Sequence, residues 1–153
     1  FYHQVIGEVY RHKVLFVISQ SDKTEPTSGG GYLSTEQKQN ISRKICLLHE
    51  LFQPVHPVCA VSVRAKWGLR TMAERMIRCL PREASSPVVA QLQSPFRTTV
   101  VQEKARVDFG ETIGAVLDTV STFPLIPTPV RTIIQAMRTT VVSVARAVWD
   151  FFF

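Results

Sequence analysis

The chain has 153 residues, 45% of them hydrophobic and 20% charged, which is enough for one domain with a real core or for two small units, and too little for a large enzyme. The net charge is +6; residues 1–80 hold 11 basic and 6 acidic side chains and the remainder 7 and 6, so the excess belongs to the first half. Cys46, Cys59 and Cys79 are scattered, and neither they nor the four histidines show CxxC or Cys/His metal spacing, which leaves reduced cysteines packed as small hydrophobes in a cytoplasmic protein.

The start, FYHQVIGEVYRHK, is amphipathic rather than a charged stub followed by an apolar run, so it is no secretory signal. Val5, Ile6, Val9 and Tyr10 fall at helical spacing and predict the tail of a helix over 1–12. A chain that begins at Phe1 inside such a helix reads as a truncated gene product or an excised fragment. Val14 to Ile18 is a continuous apolar run and predicts a strand buried on both faces. Thr24 to Gly31 is a breaker-rich loop. Ser34 and Gln37 form a capping-box start, and Ile41, Ile45, Leu48 and Phe52 carry a helix over about 35–52, stopped by Pro54 and Pro57. Val58 to Val61 predicts a second buried strand, and Met72, Met76, Ile77 and Leu80 mark another helix from Trp67 or Leu69 onward, ended by Pro81. Two strands joined by a crossover helix must be parallel, in a right-handed βαβ unit, so the fold class is α/β.

Residues 82–95 read as a linker with a short helical stretch after Pro87. Residues 96–123 and 129–153 predict two helices parted by FPLIPTP, hence a helical hairpin over 96–153. The second arm sets Arg131, Arg138 and Arg146 on a narrow polar stripe against Ile133, Ile134, Met137, Val141, Val144, Ala145 and Val148. Two placements follow for that apolar face: against the rest of the chain, or on a membrane surface. A spanning helix is disfavoured, because the longest uncharged stretch of the hairpin, Thr119 to Val130, contains three prolines.

The basic residues Arg64, Lys66, Arg70, Arg75, Arg78 and Arg82 admit two readings, solvated helix positions or a surface for RNA phosphates, and no aromatic interleaving accompanies them. Asp108, Phe109 and Gly110 spell a kinase triplet by coincidence, since no other kinase element is present.

The chemistry concentrates where the two strands end. Ligands of parallel α/β sheets sit beyond the carboxyl ends of the strands, which puts Ser19 to Lys23 and Ser62 to Arg64 at one rim. A guanine ring offers N1–H and an exocyclic amine on one edge, and a carboxylate such as Asp22 accepts both, whereas adenine has no such donor pair. A tight turn at Ser62 and Val63 can supply a backbone N–H to the guanine O6, with Ser62 bracing the turn and Gly68 allowing close approach. These segments and the helix between them resemble the carboxyl-terminal third of an Era-like GTPase of the translation-factor class, and in particular prophage-encoded enterobacterial members described as ribosome-binding GTPases. The family motif N-K-x-D corresponds to Ser19, Gln20, Ser21 and Asp22, of which only Asp22 matches. The motif S-A-K corresponds to Ser62, Val63 and Arg64, which keeps the serine and a basic third residue. The resemblance covers about the first 80 residues and implies guanine contacts from Asp22, Ser62 and Val63, with weaker ones from Ser19, Gln20, Lys23 and Arg64.

The chain contains no GxxxxGK[ST] and no D-x-x-G; Gly29 to Gly31 lead into Tyr32 and Leu33. Phosphate and Mg²⁺ contacts are therefore not expected from it, and the resemblance implies a truncated G domain over 1–81, inactive alone, that holds GTP or GDP weakly or not at all. In a complete G domain these strands form the outer pair of a larger sheet, so the first is expected to have a bare edge that invites aggregation unless the C-terminal helices or a partner chain covers it. RNA or ribosome docking is the alternative function, and a membrane-surface hairpin a third.

Overall fold

The computed structural model describes residues 2–27 and 31–152, and the chain divides into two units, residues 1–79 and 80–153.

The first unit is mixed α/β. Gly7, at φ 67°, turns the chain between a four-residue helix α1 (Tyr2–Val5) and a 3₁₀ turn over Glu8–Lys13, so the single helix expected over 1–12 is not formed. Glycine populates positive φ without a Cβ clash, which makes it the natural break in an otherwise helical pattern. Val5, Val9 and Tyr10 are left exposed.

β1 is only Val17–Ile18 and β2 only Cys59–Ala60, shorter than the strands expected over 14–18 and 58–61. They pair in parallel, Val17 opposite Cys59 and Ile18 opposite Ala60. β2 matches its expectation of burial, with Val58 to Ser62 all inside. β1 does not: Val17 is 41% exposed, and among the described residues its ladder has one neighbour, which leaves its other edge bare. The loop expected over 24–31 is described at Thr24–Thr27 and Gly31; residues 28–30 lie outside the described residues.

Helix α2 (Thr35–Phe52) starts where the capping box requires it, with Gln37 N–H donating to Ser34 Oγ at 3.1 Å and Ser34 N–H donating to Gln37 Oε1 at 2.9 Å. Its inner face sets Ile41 against Leu33 and Ala60, with Ile18, Ile45, Ala65 and Trp67 packed around them. Helix α3 (Leu69–Cys79) buries Ala73 and Ile77. Arg75 is no free surface charge: its Nη1 donates to the carbonyls of Val58 at 2.7 Å and Pro57 at 3.1 Å. Of the cysteines expected inside, Cys59 is buried, Cys79 half-buried and Cys46 exposed on the outer side of α2.

The second unit is helical. The expected linker over 82–95 is instead helix α4 (Arg82–Gln91), which carries Pro87 within it, followed by a 3₁₀ turn at Ser94–Phe96. Ser85 and Ser86 hold it in place. Ser85 Oγ donates to Asp108 Oδ2 at 2.5 Å, Ser86 Oγ to the Ala105 carbonyl at 3.3 Å, and Trp149 Nε1 donates to Ser86 Oγ at 3.1 Å. Lys104 pairs with the same Asp108 oxygen, so the residue from the chance kinase triplet is a buried structural anchor.

Helices α5 (Thr99–Ser121) and α6 (Thr128–Phe152) form the expected hairpin. Its inner side is mixed: of the apolar residues expected on one face, Ala145 is buried and Ile134 and Val141 are half-buried, and two arginines of the polar stripe join them. Arg138 and Arg146 lie across α5 and share Glu111, at 3.2 and 3.0 Å, while Arg138 Nε also donates to both oxygens of Asp118 at 3.0 Å. Gly110 and Gly114 make room: an added Cβ would stand 2.8 Å from Arg146 Cγ and 3.0 Å from Arg138 Nη2. Val142, Ala145 and Trp149 are buried, whereas Ile133, Met137, Val144 and Val148 face solvent. No described helix is long and apolar enough to cross a membrane.

Candidate functional site

The two loops singled out by their residue types meet in the first unit. After β1 the chain enters a 3₁₀ turn, Ser21–Lys23, whose cap Gln20 is left-handed at φ 51°. Ser21 is buried and fastens the turn from both sides: its N–H donates to the Val61 carbonyl at 3.0 Å and its Oγ to the Ile18 carbonyl at 3.2 Å. After β2, Ser62 and Trp67 exchange both backbone hydrogen bonds at 3.0 Å, closing a tight loop over Val63 to Lys66. Lys66 sits at φ 49° and Gly68 at φ 74°. An added Cβ on Gly68 would fall 2.1 Å from the Ala60 carbonyl oxygen, so no other residue fits there without displacing β2.

Ser62 links the loops. Its Oγ donates to Asp22 Oδ1 at 2.6 Å across 40 residues of chain and accepts from the Ala65 N–H at 3.0 Å. Its one proton and one of its two lone pairs are thereby committed. The bond from Ser62 holds the Asp22 carboxyl below the usual carboxylate range, with the positive charges of Arg64 and Lys23 assisting and partial desolvation opposing. A backbone N–H, that of Asp22 itself, also favours the ionised carboxylate, which keeps further lone pairs for an incoming pair of donors. Val63 is 77% exposed; its carbonyl accepts from Lys66 N–H, and no acceptor for its own N–H is found among the described residues.

Ser19, Gln20, Lys23 and Arg64 are all exposed at the same rim. Gln20 contributes a carbonyl to the Lys23 N–H at 2.9 Å, which tightens the turn. Among the described residues no group of three or more His, Cys, Asp or Glu side chains is placed to hold a metal ion.

The residue that sequence reasoning underrated is Gln37. Besides closing the capping box, its buried amide Nε2 donates to the Asp22 carbonyl at 3.1 Å and the Thr24 carbonyl at 3.0 Å, so the start of α2 holds the Asp22 turn. The signal available was the choice of Gln at a capping-box position that Glu fills as well, since only the amide can also donate.

The chain is 86% identical over 153 residues to the uncharacterized protein YfjP of Escherichia coli K12 and 84% identical over 153 residues to the uncharacterized protein YkfA of the same strain. Each match takes in all of this chain and 53% of the relative. The putative uncharacterized protein YeeP, also of E. coli K12, is 43% identical over 145 residues, covering 92% of this chain and 61% of that protein. No protein-family model and no solved structure matches. The chain thus spans about half the length of the curated relatives it matches.

Proposed function

We propose that residues 1–81 are the base-reading part of an Era-like GTP-binding domain, with 96–153 as its helical extension. In this reading Asp22 accepts N1–H and the exocyclic amine of guanine, and the Val63 N–H donates to O6. The observation that carries it is the 2.6 Å bond from Ser62 to Asp22, which aims a carboxylate and an open backbone N–H from two loops at one rim. Ser19 and Gln20, in place of the family's Asn and Lys, remove an amide tie between nucleotide loops and a stem that covers the ring, so base binding is weakened.

With neither GxxxxGK[ST] nor D-x-x-G in its 153 residues, the chain alone does not hydrolyse GTP, because phosphoryl transfer rests on positioning and charge stabilisation at the phosphates. The other half of the longer relatives is where phosphate and Mg²⁺ elements belong in this proposal. A lone bidentate base contact sustains a millimolar constant or weaker, a total of about 4 kcal/mol. An NMR titration with GDP and ADP tests it. Amides of Asp22, Ser62 and Val63 should shift with GDP alone; equal shifts with ADP would remove the guanine site, and a micromolar GDP constant would remove the claim of weakness.

A second reading, docking on RNA or a ribosomal particle, is supported by Arg64, Lys66, Arg70 and Arg78, all exposed and without an acidic ion-pair partner among the described residues. Four phosphate contacts give a slope of about −3 for log K against log salt on single-stranded RNA. RNA co-sedimentation that ignores salt would dismiss it.

A further inference from the structure

Gln37 makes more bonds than the start of a helix requires. The capping box uses its backbone N–H, which donates to Ser34 Oγ, and its Oε1, which accepts from the Ser34 N–H at 2.9 Å. Neither bond involves the side-chain nitrogen. Yet that nitrogen, on a residue 0% exposed, spends one hydrogen on the Asp22 carbonyl at 3.1 Å and the other on the Thr24 carbonyl at 3.0 Å. A glutamate closes the same box and would set an oxygen against both carbonyls, so capping does not account for the amide.

Almost one turn further along α2, Asn40 repeats the pattern: its Nδ2 donates to the Glu25 carbonyl at 2.7 Å, and its Oδ1 accepts from Arg43 Nη1 at 3.1 Å. Side-chain amides of α2 thus take the carbonyls of residues 22, 24 and 25. The chain enters the turn tied to the β2 side by the bond from Ser21 N–H to the Val61 carbonyl, and leaves it tied to α2.

We propose that Gln37 is a positioning residue for guanine recognition, fixing the backbone of Asp22 so that Ser62 and an incoming guanine share one carboxylate. The proposal rests on the guanine reading of Asp22 and adds the element that aims it. A carboxylate on a single methylene takes its direction from the backbone that carries it. Asp22 is held from two elements, its carbonyl by Gln37 of α2 and its Oδ1 by Ser62 after β2 at 2.6 Å. Releasing the carbonyl lets the turn rotate and takes the Ser62 bond off line, where a hydrogen bond weakens steeply. A loosened turn must then be ordered by the ligand, which lowers affinity.

Carboxyl NMR titration and GDP titration of the full chain as wild type, Ser34→Ala and Gln37→Met test the proposal. Ser34→Ala removes the cap oxygen but keeps the N–H that anchors Gln37 Oε1, so both donations from Nε2 persist; Gln37→Met fills a similar space without a donor. Asp22 of Ser34→Ala should titrate with the wild type. In Gln37→Met it should titrate nearer the ordinary carboxylate value, because the Ser62 bond that lowers it is lost while Arg64 and Lys23 act through space in all three proteins. The GDP-specific shifts at Ser62 and Val63 should persist in Ser34→Ala and vanish in Gln37→Met. An Asp22 that titrates in Gln37→Met as in the wild type, or that moves equally in Ser34→Ala, overturns the proposal. Should Gln37→Met lose its helical circular dichroism, the wild type decides: its Gln37 side-chain amide resonances should move through the pH range in which Asp22 titrates, and resonances flat across that range overturn the proposal. Absence of GDP-specific shifts in the wild type overturns the guanine reading itself, and the carboxyl titrations, which need no nucleotide, tell that failure apart from a failure of Gln37.

Discussion

The two units solve opposite problems with the same kinds of residue. In the first, short strands and a small apolar cluster leave little to fix the chain, and buried polar groups, Ser21, Gln37 and Ser62, hold the loops in place. In the second, three long helices are tied by Asp108, Glu111 and Asp118 to serine, lysine and arginine partners, and apolar side chains are left outside. Polar burial serves geometry at a rim in one case and registers helices in the other. An ionic contact is a weak source of net stability but a strong selector of one arrangement, since the alternative leaves a charge without its partner.

The largest expected break is confined to the first unit. Gly68→Val forces a Cβ into the Ala60 carbonyl at a positive φ, costing roughly 3 kcal/mol or more from strain and overpacking together. Hydrogen exchange should show residues 1–79 losing protection while α5 and α6 keep theirs; uniform loss would mean the units do not fold independently. Next comes its counterpart in the second unit. Asp108→Ala strands Ser85 and Lys104 around a buried gap and should cost about 3 kcal/mol, read as a fall in denaturation midpoint with protection near Asp22 unchanged.

Ser62→Ala is milder, about 1 kcal/mol for the lost brace on the Ala65 N–H. Its sharper readout is the Asp22 carboxyl, whose pKa should rise toward the ordinary carboxylate value when the hydroxyl is gone, as a carboxyl NMR titration would reveal. The smallest effect is on acid stability. Asp22 has a folded pKa below its unfolded one, so its contribution is complete above the unfolded value, about 4, and disappears as pH falls through the depressed folded value. Wild type and Asp22→Asn should therefore differ in melting temperature at pH 6 and converge near pH 2; a gap that persists in acid would detach the effect from this carboxyl.

Much of the first unit was legible because its signals are local. Ser34 and Gln37 fixed the start of α2 to the residue, and the breakers Pro54 and Pro57 fixed the order of helix and strand. The pairing of Asp22 with Ser62 was anticipated only as two loops at one rim; the bond between them joins residues 40 apart, which no local pattern specifies. Gly7 was passed over because Val5, Ile6, Val9 and Tyr10 around it keep helical spacing, and periodicity is blind to a single φ. In α4, Pro87 and the paired serines argued for a linker; the serines instead find buried partners on α5 and α6, and those tertiary bonds outweigh local propensity.

The sequence by itself determined the start of α2, that the two strands are parallel, and that α5 and α6 form a hairpin, since these follow from a cap, a crossover helix and prolines. Only the tertiary structure decided which side of α6 is inside. An amphipathic pattern divides a helix into two faces without saying what each one meets; the apolar face was expected either against the rest of the chain or on a membrane surface. Gly110 and Gly114 on α5, with Glu111 and Asp118 beside them, offer Arg138 and Arg146 both space and countercharge, so the inner side of α6 combines these arginines with Val142, Ala145 and Trp149 while Ile133, Met137, Val144 and Val148 stay outside.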